Sequence, residues 1–134
     1  MHPFFSSKPL PNFDNIYAAL RILTGALMAY HGFEVFKSAT MAESIKWMTD
    51  DLHMPAANFL AYLGKGAEFV GGISLMLGLY TRLGALAMTL TMLGVCFWMG
   101  HGKFWYEDQH PFLFVVLGVL FFFGGARKWC FDKN

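Results

Sequence analysis

Charge is what this sequence has least of. Only 14% of its 134 residues are Asp, Glu, Lys or Arg, against about 25% in a typical soluble domain. Ten basic and nine acidic residues leave a net charge of +1, so no long-range field gathers nucleic acid, and no nucleic-acid partner is expected. Cysteine is nearly as scarce: Cys96 sits inside an apolar run and Cys130 lies beside Arg127 and Lys128. Two such cysteines build no disulfide framework, and free thiols are expected. Residues 1–15 lack the basic start, apolar stretch and small-residue cleavage site of a signal peptide, and read as an interfacial segment. P-loop, Gly-x-Ser-x-Gly and dinucleotide-binding fingerprints are missing. So are C-x-x-C-H, H-E-x-x-H and any close His pair, and no metal centre is expected.

In place of charge there is apolar surface. Hydrophobic residues make up 56% of the chain and aromatics 18%, with 15 Phe and 9 Met. That leaves too little polar surface to coat a small water-soluble globule, and the lipid bilayer is the expected surrounding. Four apolar runs can each cross roughly 30 Å of hydrocarbon as a helix: 16–36, 58–79, 83–99 and 111–126. Between the first two, residues 37–57 alternate charged and apolar positions, which fits a helix lying at the interface with Ile45, Met48 and Leu52 on its apolar face. The expected fold is therefore an all-α membrane protein: a four-transmembrane-helix bundle with an interfacial helix between the first two spans. Residues 16–126 form this domain and 127–134 a polar tail. Glycines 64, 66, 71, 72 and 78 give the second run a small-residue face for close helix approach. The turn at 80–82 is short enough to demand an antiparallel hairpin. Lys8, Arg82, Arg127, Lys128 and Lys133 flank one side of the bundle and Lys37, Lys46 and Lys103 the other. That bias puts both termini in the cytoplasm, in a bacterial inner membrane.

Ionisable residues in lipid cost at least about 2.5–3.5 kcal/mol each and mark function by default. Arg21, His31, Glu34, Lys65 and Glu68 all fall in the first two spans and none in the last two. At a rise of about 1.5 Å per residue, Arg21 lies roughly 7–8 Å in from the terminal side and Glu68 near the middle. His31 and Lys65 both fall roughly 20–22 Å in, with Glu34 further out. Lys65 is then in reach of Glu34 or His31, and Glu68 is the neighbour of Arg21 or His31. Two readings stand for these charges: ion pairs that fix which helix packs on which, or a site for a ligand or proton. His101 and His110, at the outer ends of the third and fourth spans, complete a polar pocket with Trp98, Trp105 and Tyr106.

The sequence resembles the DoxX family of small four-helix membrane proteins over residues 16–132. The resemblance rests on Arg21-x-x-x-Gly25, His31-Gly32 and Lys37, the lysine standing five places past the glycine instead of three. It rests further on Glu68-x-x-Gly71-Gly72 running into Leu77-Gly78-Leu79-x-Thr81-Arg82, and on the ending Phe123-Gly124-Gly125-Ala126 through Asp132. Gln109-His110 stands where the family carries an acidic residue, and Cys130 replaces a small polar one. The resemblance implies a membrane subunit of a quinone-linked redox system, related to thiosulfate or thiol chemistry, working with a soluble or membrane redox partner. On that reading Lys65 or His31 binds a quinone carbonyl and Glu34 or Glu68 carries the accompanying proton. Arg21 and Arg82 line the inner half as further ligand-binding groups, with Asp132. Two other classes stay open. A scaffold or assembly factor would hold soluble partners and no small molecule. A small-solute transporter would need a homodimer, with Glu68 as its proton-coupled site.

Overall fold

Each apolar run becomes a helix, and what ends each helix is legible in the residues. The computed structural model describes residues 7–99 and 109–132. The elements are α1 (Phe13–Gly32), a 3-10 turn (Phe33–Phe36), α2 (Ser38–Asp50), α3 (Ala57–Leu77), α4 (Thr81–Gly94) running into a π turn (Val95–Met99), and α5 (Gln109–Gly124). No strand occurs among the described residues. α1 starts just past Pro11 with Asp14 in its first turn, where the positive end of the helix dipole favours an acid. α3 stops at Leu77, two residues short of the expected end, because Gly78 takes the left-handed conformation (φ 66°) that terminates a helix. Tyr80 is also left-handed (φ 51°), and the chain reverses directly into α4.

α3 is the central element, packed against α1 on one side and α4 on another, with α5 against α4 and α2 across its first turns. Small residues set the separations. A methyl group on Gly25 would stand 2.6 Å from the Gly72 carbonyl oxygen, so the α1–α3 contact is backbone on backbone. Gly71 and Gly84 play the same part between α3 and α4. The small face of the second run is thus only partly used: Gly66 has open space beside it. The principal core joins Tyr17, Met28, Leu75, Met88, Met92 and Phe121, and a second cluster holds α2 to α3 through Met41, Met48, Met54, Ala57 and Ala61. Met48 is buried and Ile45 and Leu52 pack against that second cluster, so the apolar face of α2 covers protein.

The polarity of this bundle is inverted. Leu20, Leu23, Leu27 and Tyr30 of α1 point outward, as do Phe59, Leu63 and Val70 of α3, Leu83, Leu86 and Leu90 of α4, and Leu113, Val116, Leu120 and Phe123 of α5. Arg21, Thr24, Glu68 and Thr81 are buried. Taken one at a time, the helices are less clear-cut than four spans. Among the described residues one helix, Thr81–Trp98, is both long and apolar enough to cross a membrane, and Gln109–Gly124 is apolar but shorter. α1 and α3 have the length, at 20 and 21 residues, but Asp14, Arg21, Lys65 and Glu68 dilute their apolar character.

Candidate functional site

The polar side chains of the interior sort into two clusters. The first surrounds a cavity of about 590 Å³ lined by residues of all five helices. Its walls carry Met28 and His31 from α1, Trp47 and Met48 from α2, and Lys65 and Glu68 from α3. Met92 and Trp98 come from α4 and its π turn, and His110 and Phe114 from α5. The π turn widens α4 at its end and puts Trp98 on the wall. The volume lies within the ordinary range for small-molecule sites, roughly 300–1,000 Å³, and the balance of a broad apolar wall with a few polar groups is what such sites show.

Lys65 is the hub of the polar groups. Its Nζ stands 3.2 Å from Glu34 Oε2 and 3.4 Å from Glu68 Oε2. Glu34 reaches it because the chain tightens into the 3-10 turn after Gly32, which swings Glu34 toward α3. Glu68 is one helical turn along from Lys65, so the two share a face. Exposure falls along the row: the side chain is 36% exposed at Glu34, 25% at Lys65 and 6% at Glu68. Glu68 Oε2 is buried and has no hydrogen-bond partner. The His31 ring lies edge-on to Phe114 at 6.5 Å between centroids, joining α1 to α5 across the cavity.

The second cluster is at the other end, and Arg21 is its centre. Its Nε donates to the Leu75 carbonyl at 2.8 Å, Nη1 to those of Ala126 and Lys128 at 2.5 and 2.7 Å, and Nη2 to that of Trp129 at 2.7 Å. The expected Arg21–Glu68 pair is therefore not formed. The spans are not bare rods: the chain after α5 folds back under the bundle and offers Arg21 three backbone carbonyls. Phe131 and Asp132 donate their N–H groups to the carbonyls of Leu77 and Gly78, which α3 leaves free at its end. Asp132 then accepts the Tyr80 and Thr81 N–H groups at 2.6 and 2.9 Å, capping α4 from the far end of the sequence. Burial works against the Asp132 charge. The Thr81 side chain beside it, those two N–H groups and nearby Arg21 outweigh burial and hold the carboxyl below the ordinary aspartate range. Tyr17 donates to the Gly125 carbonyl at 2.8 Å, Arg82 to that of Phe122 at 3.0 Å, and Arg127 pairs with Asp14 at 2.6 Å.

Of the candidate residues, His31, Lys65 and Glu68 line the cavity, and Glu34 adjoins it through Lys65. Arg21 and Arg82 do not; both are committed to backbone carbonyls in the tail cluster. His110 and Trp98 of the expected polar pocket are on the wall, while His101, Trp105 and Tyr106 lie outside the described residues. Sequence reasoning missed Trp47 and the methionines of the wall, whose signal was the apolar face of α2. It missed the docking of the tail altogether; three glycines, at 78, 124 and 125, beside a lone terminal Asp were the available hint.

Comparison with known proteins bears on the same residues. The DoxX family model matches residues 16–101, which hold Arg21, His31, Glu34, Lys65, Glu68 and Arg82. The curated "Putative oxidoreductase CatD" of Bacillus subtilis (strain 168) is 31% identical over 75 residues, covering 56% of this chain and 52% of that protein. The chain thus spans about half the length of that relative. No solved structure matches it.

Proposed function

The chain belongs to the DoxX family, and from that premise we propose that it is an integral membrane subunit of a quinone-linked redox system, its ligand held in the cavity beside Lys65. The outward apolar faces of α1, α3, α4 and α5 support the membrane reading, since no water-soluble protein gains from presenting Leu, Val and Phe all round while burying Arg21 and Glu68. In lipid, α1, α3, α4 and α5 are the four spans and α2 lies along the interface, with the tail cluster on the cytoplasmic side of a bacterial inner membrane. The name of the Bacillus relative supports an oxidoreductase connection.

The observation that carries the reading is the buried carboxyl of Glu68, on the wall of a ligand-sized cavity with apolar and aromatic sides and in reach of the Lys65 ammonium alone. The residues fit a quinone: Lys65 and His31 would donate to its carbonyl oxygens, Trp98 and Phe114 would flank its ring, and the methionines would adapt to its substituents. A quinone supplies two-electron chemistry that consumes two protons. Glu68 holds a proton next to the cavity, and Lys65 and Glu34 form the route by which it is replaced from the exposed side. Arg21 acts on none of this directly; it keeps the tail in place. Electrons arrive from a soluble or membrane partner, and a homodimer is compatible with the open face at Gly66.

Purification in mild detergent, followed by an absorption spectrum and mass spectrometry of the organic extract, tests the proposal. A quinone at about one per chain, lost on Lys65→Met, is the expected result. An empty bundle that also fails to take up added duroquinone overturns it. If that empty bundle retains a soluble protein, it is a scaffold.

A further inference from the structure

The charge balance of the cavity does not close on a neutral ligand. Lys65 is the only cation in reach of two carboxylates among the described residues of the wall, and its ammonium is met first by Glu34, at 3.2 Å. Glu68, at 3.4 Å and without a hydrogen bond on Oε2, is the surplus acid. Its side chain is only 6% exposed. An ionised carboxylate so buried, with its one ammonium shared with Glu34, is expensive unless a proton or a further positive charge joins it. The remaining titratable groups that face it are His31 from α1, Glu34 from the 3-10 turn, Lys65 on its own helix and His110 from α5. The α2 and α4 walls bring no charge, only Trp47, Ser44, Thr91, Trp98 and apolar groups.

A ligand that itself carried a positive charge could take the place of that proton. The walls suit such a ligand in two further ways. Indole faces attract cations, by about 0.5–2 kcal/mol each, and Trp47 and Trp98 both line the cavity. A diffuse charge on an apolar body suits these walls best, since Met28, Met48, Met54 and Met92 offer soft, polarisable surface and only weak hydrogen-bond acceptors.

We propose that the cavity also binds lipophilic organic cations, of the quaternary phosphonium or ammonium class, with Glu68 as their counter-charge, and that each cation bound displaces one proton. The balance is simple: Glu68–COOH and a free cation become a Glu68 carboxylate–cation pair and one proton in solution. The inference rests on the same cavity as the redox reading but not on quinone chemistry, and it assigns opposite parts to Lys65. For a neutral quinone Lys65 is a donor; for a cation it is a competitor for Glu68.

The test uses the full chain in dodecyl maltoside with tetraphenylphosphonium as the probe, read by tryptophan quenching and by calorimetry in two buffers of different ionisation enthalpy. Saturable binding at one per chain with release of about one proton is expected, weakening by about tenfold for each pH unit below the titration of Glu68. Glu68→Gln should abolish it, and Lys65→Met should weaken duroquinone binding while tetraphenylphosphonium binding persists. Should Lys65→Met fail to fold, Glu34→Gln serves, since it frees Lys65 to pair with Glu68 and so weakens the cation. Uptake that does not saturate, or that Glu68→Gln leaves unchanged, overturns the inference. Binding of duroquinone without tetraphenylphosphonium overturns it and leaves the redox reading standing; tetraphenylphosphonium without duroquinone does the reverse.

Discussion

The ammonium of Lys65 stands between two carboxylates of unequal standing, 3.2 Å from Glu34 at the rim and 3.4 Å from Glu68 inside. A lone lysine at this depth would lose its proton or drag water with it; a lone glutamate would stay neutral. Placed together, they form a row of three groups from the rim to the cavity, which the proposed function uses as its proton route. One ammonium thus serves two acids, one from the turn after α1 and one from the next turn of α3.

Lys65→Met is the most direct probe of that row. The methionine fills the same length of side chain, so packing changes little. What it removes is the charge between the two acids, and Glu68 answers by keeping its proton. We expect a loss of about 1–3 kcal/mol in stability, read from thermal unfolding in detergent, with helical content unchanged. Quinone binding should fall by tenfold or more. Unchanged quinone affinity would remove Lys65 from the site.

Arg21 predicts a different phenotype. It satisfies four backbone carbonyls, three of them in the returning tail. Lysine in its place cannot reach all four, and buried carbonyls left unpaired cost about 1–3 kcal/mol each. Arg21→Lys should therefore loosen the tail before it unfolds the bundle. Trypsin cleavage after Arg127 and Lys128 should speed up by about tenfold or more, with ligand binding at Lys65 retained. A ligand-binding defect with the tail still protected would return Arg21 to the ligand site.

Much of this arrangement can be read from residues. The helices follow from run length, while their ends differ by a few residues, as where Gly78 stops α3 at Leu77. The Lys65–Glu68 contact follows from helical rise alone, whereas rise leaves Lys65 in reach of Glu34 or His31 and the 3-10 turn selects Glu34. The failure at Arg21 has a clear cause. Depth arithmetic places side chains along one axis but says nothing about which backbone carbonyls return to meet them. Tail docking is a backbone event: Leu75, Ala126, Lys128 and Trp129 act through carbonyls, for which their side-chain identities carry no signal. The cavity was equally hidden, because it depends on the π turn at Val95–Met99 and on how α2 folds across α3.

Gly78 separates two kinds of strain. Its φ of 66° costs an L-residue about 1–2 kcal/mol, and a methyl group there would also run into Cβ of Cys130. Gly78→Ala should lose about 2–4 kcal/mol in all and release the tail. Adding Cys130→Gly removes the contact with Cβ but leaves Cα of residue 130 at 2.7 Å from the methyl, and the dihedral cost with it, so the double variant should recover only a minor part of the loss. Full recovery would mean that the backbone conformation at Gly78 is not strained for alanine.

Asp132 makes the tail sensitive to acid. Its carboxyl titrates below the ordinary aspartate range in the folded chain, so docking favours the ionised form. The stabilisation is complete above the ordinary aspartate value and is lost as the pH falls through the lower, folded one. A cap of this kind is worth about 1 kcal/mol, enough to shift local opening several-fold without unfolding α3 or α4. Hydrogen exchange at the Tyr80 and Thr81 amides, corrected for the intrinsic rate, should accelerate as the pH drops from 5 to about 2–3. Asp132→Asn should show the fast exchange already at pH 5 and no further dependence. If both forms respond to acid alike, the cap is not what acid breaks.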